Sequence, residues 1–101
     1  MEQNNAMPVL AVRDIKAGFF LRPDTFKSLG QAERQFIDEV NDQKSMMCKH
    51  PQDYGLYLLG WYDEQEGKIE SIGQPKEILS GISVKQTAPT SEQLKLLSSQ
   101  N

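Results

Sequence analysis

Residues 54–62, Tyr54-Gly55-Leu56-Tyr57-Leu58-Leu59-Gly60-Trp61-Tyr62, are aromatic or aliphatic at every position that is not glycine. After the acidic Asp63-Glu64-Gln65-Glu66-Gly67 comes a second extended run, Lys68-Ile69-Glu70-Ser71-Ile72. Two such runs across a short polar segment ending in glycine predict an antiparallel hairpin, with Gly67 supplying the positive φ that closes the turn. Both parities of the first run are apolar: Leu56, Leu58 and Tyr62 on one side, Tyr57, Leu59 and Trp61 on the other. A strand apolar on both faces needs cover on both. Gln74-Pro75 is expected to interrupt the second strand, leaving Lys76 to Leu79 as a last turn or a short edge segment.

Upstream, Val9 to Leu21 is rich in β-branched and aromatic residues and stops at Arg22-Pro23-Asp24, so it reads as extended chain. Its alternation slips, because Leu10 and Val12 share one parity whereas Ile15, Ala17, Phe19 and Leu21 share the other. A bulge or tight turn near Arg13-Asp14 repairs the slip, and Gly18 is a candidate second bend. Ser28-Leu29-Gly30-Gln31 is a Ser-x-x-Gln capping box, and Leu29, Ala32, Phe36, Ile37 and Val40 then recur at helical spacing. This predicts a helix running to about Lys44 or Met47 and ending before Pro51.

The elements sum to an α+β domain: a small antiparallel sheet of three to four strands with one main α-helix packed on one face. Residues 8–83 form that single domain, between a flexible N-terminal tail, 1–7, and a flexible C-terminal tail, 84–101. In the latter, Ser91 is placed to cap a short turn bearing Leu94, Leu96 and Leu97. One helix shields one sheet face, so the other calls for a second copy of the chain, and a homodimer or higher homo-oligomer is expected. Cover by the tails is the alternative.

At 101 residues the chain has no length for a second domain, and its 11 Lys plus Arg against 14 Asp plus Glu exclude a globally basic nucleic-acid binder. One cysteine excludes an internal disulfide, and no run approaches the ~18 apolar residues of a membrane span. The polar, acidic opening is unlike a signal peptide, which predicts a protein of the cytoplasm in which it is made. Cys48 and His50 are the sole cysteine and histidine. Two residues apart in extended chain, with no orienting third group, they read better as part of a loop in which the Asp53 carboxylate caps backbone N–H groups. Asp38-Glu39 and Glu64 with Glu66 read as solvated charge. No metal or cofactor is expected, and no catalytic signature is present.

The cations are unevenly placed. Arg13, Lys16, Arg22, Lys27 and Arg34 fall within positions 11–36 against Asp14, Asp24 and Glu33, a local balance of +2 in a chain of net charge −3. If Ile15, Ala17, Phe19 and Leu21 point inward, Lys16, Phe20 and Arg22 share the outer face, combining cations for phosphates with a ring on which a base stacks. On these residues alone an ordinary solvated strand face with Phe20 in an oligomer contact is the better description, since stacking platforms also need strong local charge. Trp61 and Tyr57 carry the same two readings.

Val12-Arg13-Asp14-Ile15-Lys16-Ala17-Gly18-Phe19, Val40-Asn41-Asp42, His50-Pro51-Gln52-Asp53-Tyr54, Leu58-Leu59-Gly60-Trp61-Tyr62-Asp63 and Gly67-Lys68-Ile69 together resemble the small nonstructural protein of gokushoviruses, microviruses with single-stranded DNA genomes. The resemblance spans about residues 9–72 and places Asp14, Lys16, His50 and Asp53 in recurring segments, without assigning any of them a role. It implies a non-enzymatic single-stranded DNA-binding protein of the host cytoplasm, acting in the switch of replication to single-strand synthesis or in genome packaging. Arg13, Lys16, Phe20, Arg22, Lys27, Arg34 and Trp61 are the candidate binding residues. The alternative is a dimeric interaction module that engages replication or capsid proteins through its apolar sheet face or tail leucines, without touching DNA. An enzyme built on Cys48 or His50 ranks third.

Overall fold

The computed structural model describes residues 6–86. Its strands are β1 (Ala6–Asp14), β2 (Phe19–Phe20), β3 (Asp24–Thr25), β4 (Tyr54–Asp63) and β5 (Lys68–Ser80), and its helices α1 (Leu29–Val40), α2 (Met46–Lys49) and α3 (Gly81–Val84). A single 3₁₀ turn, Pro51–Asp53, leads into β4. The sheet is antiparallel, in the order β2-β1-β4-β5, with β3 also paired to β1 beside β2.

Two hairpins share one turn chemistry. In Asp14-Ile15-Lys16-Ala17-Gly18 the Gly18 N–H donates to the Asp14 carbonyl (2.8 Å), and in Asp63-Glu64-Gln65-Glu66-Gly67 the Gly67 N–H donates to the Asp63 carbonyl (2.7 Å). Each glycine takes a positive φ, 87° and 69°, which side chains resist. Each aspartate's Oδ1 accepts a backbone N–H of the turn, from Ala17 at 3.0 Å in one and from Gln65 at 3.0 Å in the other. Residues 19–26 therefore double back along β1, where Leu21 donates to Val12 (2.7 Å) and Phe26 to Pro8 (3.0 Å).

The capping box forms as expected, with the Ser28 hydroxyl accepting from the Gln31 N–H (3.1 Å) and the Gln31 side chain accepting from the Lys27 N–H (2.7 Å). Helix α1 stops sooner than the periodicity predicts. The Asn41 amide nitrogen donates to the Ile37 carbonyl (2.9 Å) and to Val84 (3.1 Å), while its oxygen accepts from Gln86 (2.7 Å). This side chain ends the helix and ties α3 to it.

These features overturn the α+β reading of a small sheet under one main helix. Strands make up 44% of the described residues, curled into a half-barrel, and the helical residues are divided among three short segments, none dominant. The physical reasons lie in two segments. Residues 19–25 return to β1 as two added strands, and Pro75 remains within β5, an edge strand on which a missing N–H breaks no ladder. The tail residues 1–5 and 87–101, including Ser91, Leu94, Leu96 and Leu97, lie outside the described residues.

The core sits inside the curl, where Leu10, Leu56 and Leu58 of the sheet meet Ala32, Phe36 and Val40 of α1. Leu10 and Val40 are fully enclosed. Curvature comes from irregular register. Leu10 pairs with Leu58 and Val9 with Gly60, leaving Leu59 as an extra residue, and β5 absorbs residues 72–75 between its pairings with Gly60 and Leu58. Gly60 permits the close crossing there, since a Cβ would collide with the Glu70 carbonyl oxygen.

Gly60→Ala is expected to lose about 1–3 kcal/mol by overpacking against a backbone that cannot retreat. Gly30→Ala, in an exposed turn of α1 where the nearest atom to a new Cβ is the Ser28 hydroxyl at 3.8 Å, is expected to gain up to about 1 kcal/mol from helix propensity. Urea denaturation of the two variants against the parent measures both.

Candidate nucleic-acid interface

Residues directly opposite in an antiparallel pair point to the same side, so the register assigns the faces. The side away from α1 carries four rows: Phe20, Arg13, Gly55 and Ser80; then Ala11, Tyr57 and Glu77; then Thr25, Val9, Gly60 and Ser71; then Met7, Tyr62 and Ile69. Glycine and small side chains make a floor on which Phe20, Tyr57 and Tyr62 stand.

At one end of this face the side chains form a connected group. The Arg13 guanidinium carbon lies over the Phe20 ring, 4.9 Å from its centroid, and Phe20 meets Tyr57 edge to face at 5.5 Å and 85°. The Tyr57 hydroxyl donates to Glu77 Oε2 at a long 3.5 Å. Gly55 makes room for this group, since a Cβ there would lie 3.0 Å from the Tyr57 ring and 3.1 Å from the Glu77 carboxylate. Such a group offers π-surface, a guanidinium held by cation–π attraction and one carboxylate. At the other end Val9, Pro23, Asp24, Thr25, Tyr62 and Ile69 line an apolar groove of about 310 Å³, in which Ile69 is 70% exposed.

Of the sequence-derived candidates, Arg13 and Phe20 are brought together. Lys16 is exposed at the tip of the β1–β2 turn, and Arg22 is exposed between β2 and β3. The condition under which Lys16, Phe20 and Arg22 were to share one strand face is not met. Ile15, Phe19 and Leu21 are exposed, because the chain reverses at residues 15–18 instead of running on as a single strand. Lys27 precedes the cap of α1 and Arg34 lies on that helix, both exposed and away from the group. Trp61 is on the opposite side of the sheet, packed against the core. The extra residue Leu59 reverses the parity beyond it, so Trp61 joins Leu56 and Leu58 while Tyr62 joins Tyr57. Alternation alone gave Tyr62 and Trp61 each the wrong side. Glu77 was missed as well, since its place opposite Tyr57 depends on the irregular register of β5.

The segment holding the sole cysteine and histidine is tied to its neighbours by hydrogen bonds. Cys48 accepts from the Lys85 ammonium at 2.8 Å, and His50 is exposed before Pro51. The Asp53 carbonyl, in place of its carboxylate, accepts the Ile15 N–H at 2.8 Å and so anchors the β1–β2 turn. Among the described residues no group of three or more His, Cys, Asp or Glu side chains is placed to hold a metal ion, and no helix is long and apolar enough to cross a membrane.

The chain belongs to the phage ORF5 protein family, which it matches over residues 7–84. No curated protein and no solved structure matches it.

Two tyrosines resist ionisation. Loss of solvent raises Tyr57 above its ordinary 10.0, helped by the Glu77 carboxylate and opposed by Arg13, and loss of solvent raises Tyr54, helped by Asp14 and Asp53. A raised folded-state pKa favours the neutral phenol, so this contribution to stability is complete below pH 10.0 and fades as the pH climbs through the folded value. An absorbance titration of phenolate is expected to show Tyr57 ionising above the ordinary value. Glu77→Gln should lower its midpoint partway, because the carboxylate is the lesser of the two main causes.

Proposed function

We propose that this phage protein is a non-enzymatic single-stranded DNA-binding protein of the gokushovirus kind, serving the replication switch or genome packaging in the host cytoplasm. The observation that carries the reading is the Arg13–Phe20–Tyr57 group on an open sheet face floored by small residues. Aromatic side chains standing on an antiparallel sheet are a general way to stack two or three unpaired bases. Stacking is indifferent to base identity, because every base has a π-face. Lys16 and Arg22, exposed at the same end as Arg13, supply phosphate contacts.

One such site binds weakly. A homo-oligomer that presents several of them to one strand gains by effective concentration what each lacks in charge. The apolar groove beside Tyr62 favours a second reading, a module that docks replication or capsid proteins there.

Fluorescence anisotropy with a labelled single strand, titrated with salt and set against duplex of the same sequence, tests the proposal. Single-strand binding in preference to duplex is expected, fading with salt. Arg13→Ala with Phe20→Ala should weaken it by at least about fivefold, as loss of a stacking contact worth roughly 1–3 kcal/mol requires. Lys16→Ala with Arg22→Ala should reduce the salt slope by about 0.7 for each phosphate contact removed. A folded protein that ignores single strands at physiological salt sinks the proposal and leaves the interaction module.

A further inference from the structure

Glu77 is at odds with simple backbone binding. Its carboxylate is exposed, directly opposite Tyr57 on the sheet and within 3.5 Å of the Tyr57 hydroxyl, where it repels any phosphate that approaches the rings. The DNA groups that a carboxylate attracts are N–H donors, and in a single strand these lie on the exposed Watson–Crick edges of the bases. The four edges differ in what they offer. Thymine presents one N–H between two carbonyl oxygens, and cytosine and adenine each present an amino group beside an acceptor nitrogen. Guanine alone presents two adjacent donors, its ring N1–H and its 2-amino group, spaced to meet both oxygens of a carboxylate. The Tyr57 hydroxyl engages one lone pair of Oε2, and a carboxylate has about four to give. Gly55 lets the Tyr57 ring and the Glu77 carboxylate close in over its backbone, 3.0 and 3.1 Å from where a Cβ would lie, which sets the carboxylate at the edge of the ring, within reach of the edge of a base stacked on it.

We infer that Glu77 makes this site selective for guanine, accepting paired N–H bonds from a base stacked on Tyr57. The inference rests on the single-stranded DNA reading and adds a base preference that stacking alone does not give. Paired, charge-assisted bonds are the strong kind.

The test compares thymidine oligonucleotides that carry one central guanine, hypoxanthine, adenine, cytosine or thymine, by anisotropy at one salt concentration. Guanine is expected to bind about fivefold or more tighter than thymine, the lower end of what a bidentate base contact gives. Hypoxanthine, which keeps N1–H and lacks the 2-amino group, should lose most of that advantage. In Glu77→Ala, checked for native circular dichroism, the guanine and thymine oligonucleotides should bind alike. A guanine advantage that survives in Glu77→Ala, or binding of all five oligonucleotides with equal affinity by the parent protein, overturns the selectivity and leaves DNA binding intact. Failure of the parent to bind any of them overturns the DNA-binding reading itself.

Discussion

Leu59 has no partner on β1: Leu10 faces Leu58, Val9 faces Gly60, and this single unpaired position sorts the side chains of both layers. Below it, Leu56 and Leu58 point into the curl and Tyr57 points out. Beyond it the order reverses, so Trp61 joins the core and Tyr62 stands on the outer face. Without the extra residue Trp61 would lie on the outer face and Tyr62 beneath α1, with a phenol hydroxyl seeking a partner in the core. The bulge thus gives the core its largest ring and the outer face its third aromatic. It also adds twist, which a sheet needs if a helix of only 12 residues is to close its concave side.

A core of six buried side chains leaves little margin, and the end of β5 with α3 helps to complete it. Val84 and Leu79 pack against the cluster, and the Asn41 side chain fixes α3 by accepting from Gln86 and donating to Val84. Ile15 is bound through its backbone to Asp53, so the β1–β2 turn is held by the segment that enters β4. The position of Arg13 and Phe20 therefore depends on the loop that contains Pro51, although no side chain of that loop is in their group.

Much of the local structure was legible. Ser28 and Gln31 announced the start of α1, and Gly67 the closing of the second hairpin, because each answers to a chemistry confined to a few neighbouring residues. The first hairpin carried the same signal, Asp14-x-x-x-Gly18, as the second, Asp63-x-x-x-Gly67, and reading the two segments side by side would have revealed it. The β content was not legible for a different reason. Asp24–Thr25 is too short to show alternation and is a strand because β1 offers it an edge, and β5 runs on past the Pro75 expected to interrupt it. The candidate site divides along the same line. Arg13 and Phe20 are close because one tight turn joins their strands, whereas Glu77 reaches Tyr57 past the register shift between Gly60 and Leu58, which no periodicity encodes.

Net charge says little about what such a site experiences. The β1–β2 turn lies at the Asp14 end of β1, and the acidic β4–β5 turn at the Ala6 end, since Asp14 pairs with Tyr54 and Ala6 with Asp63. Nine residues of strand separate these ends by about 26 Å, roughly three Debye lengths at physiological salt, so Glu64 and Glu66 are screened from Arg13. The charges that matter locally are Arg13, Lys16 and Arg22 against Asp14, Asp53 and Glu77, an even balance, and the Asp14 carboxylate is already engaged by the Ala17 N–H. Such a balance does not favour duplex, because duplex recognition draws most of its free energy from phosphates. On the proposed reading an unpaired strand brings its own stacking energy to the aromatic side chains, and the cations are gathered by presenting several copies of the site to one strand.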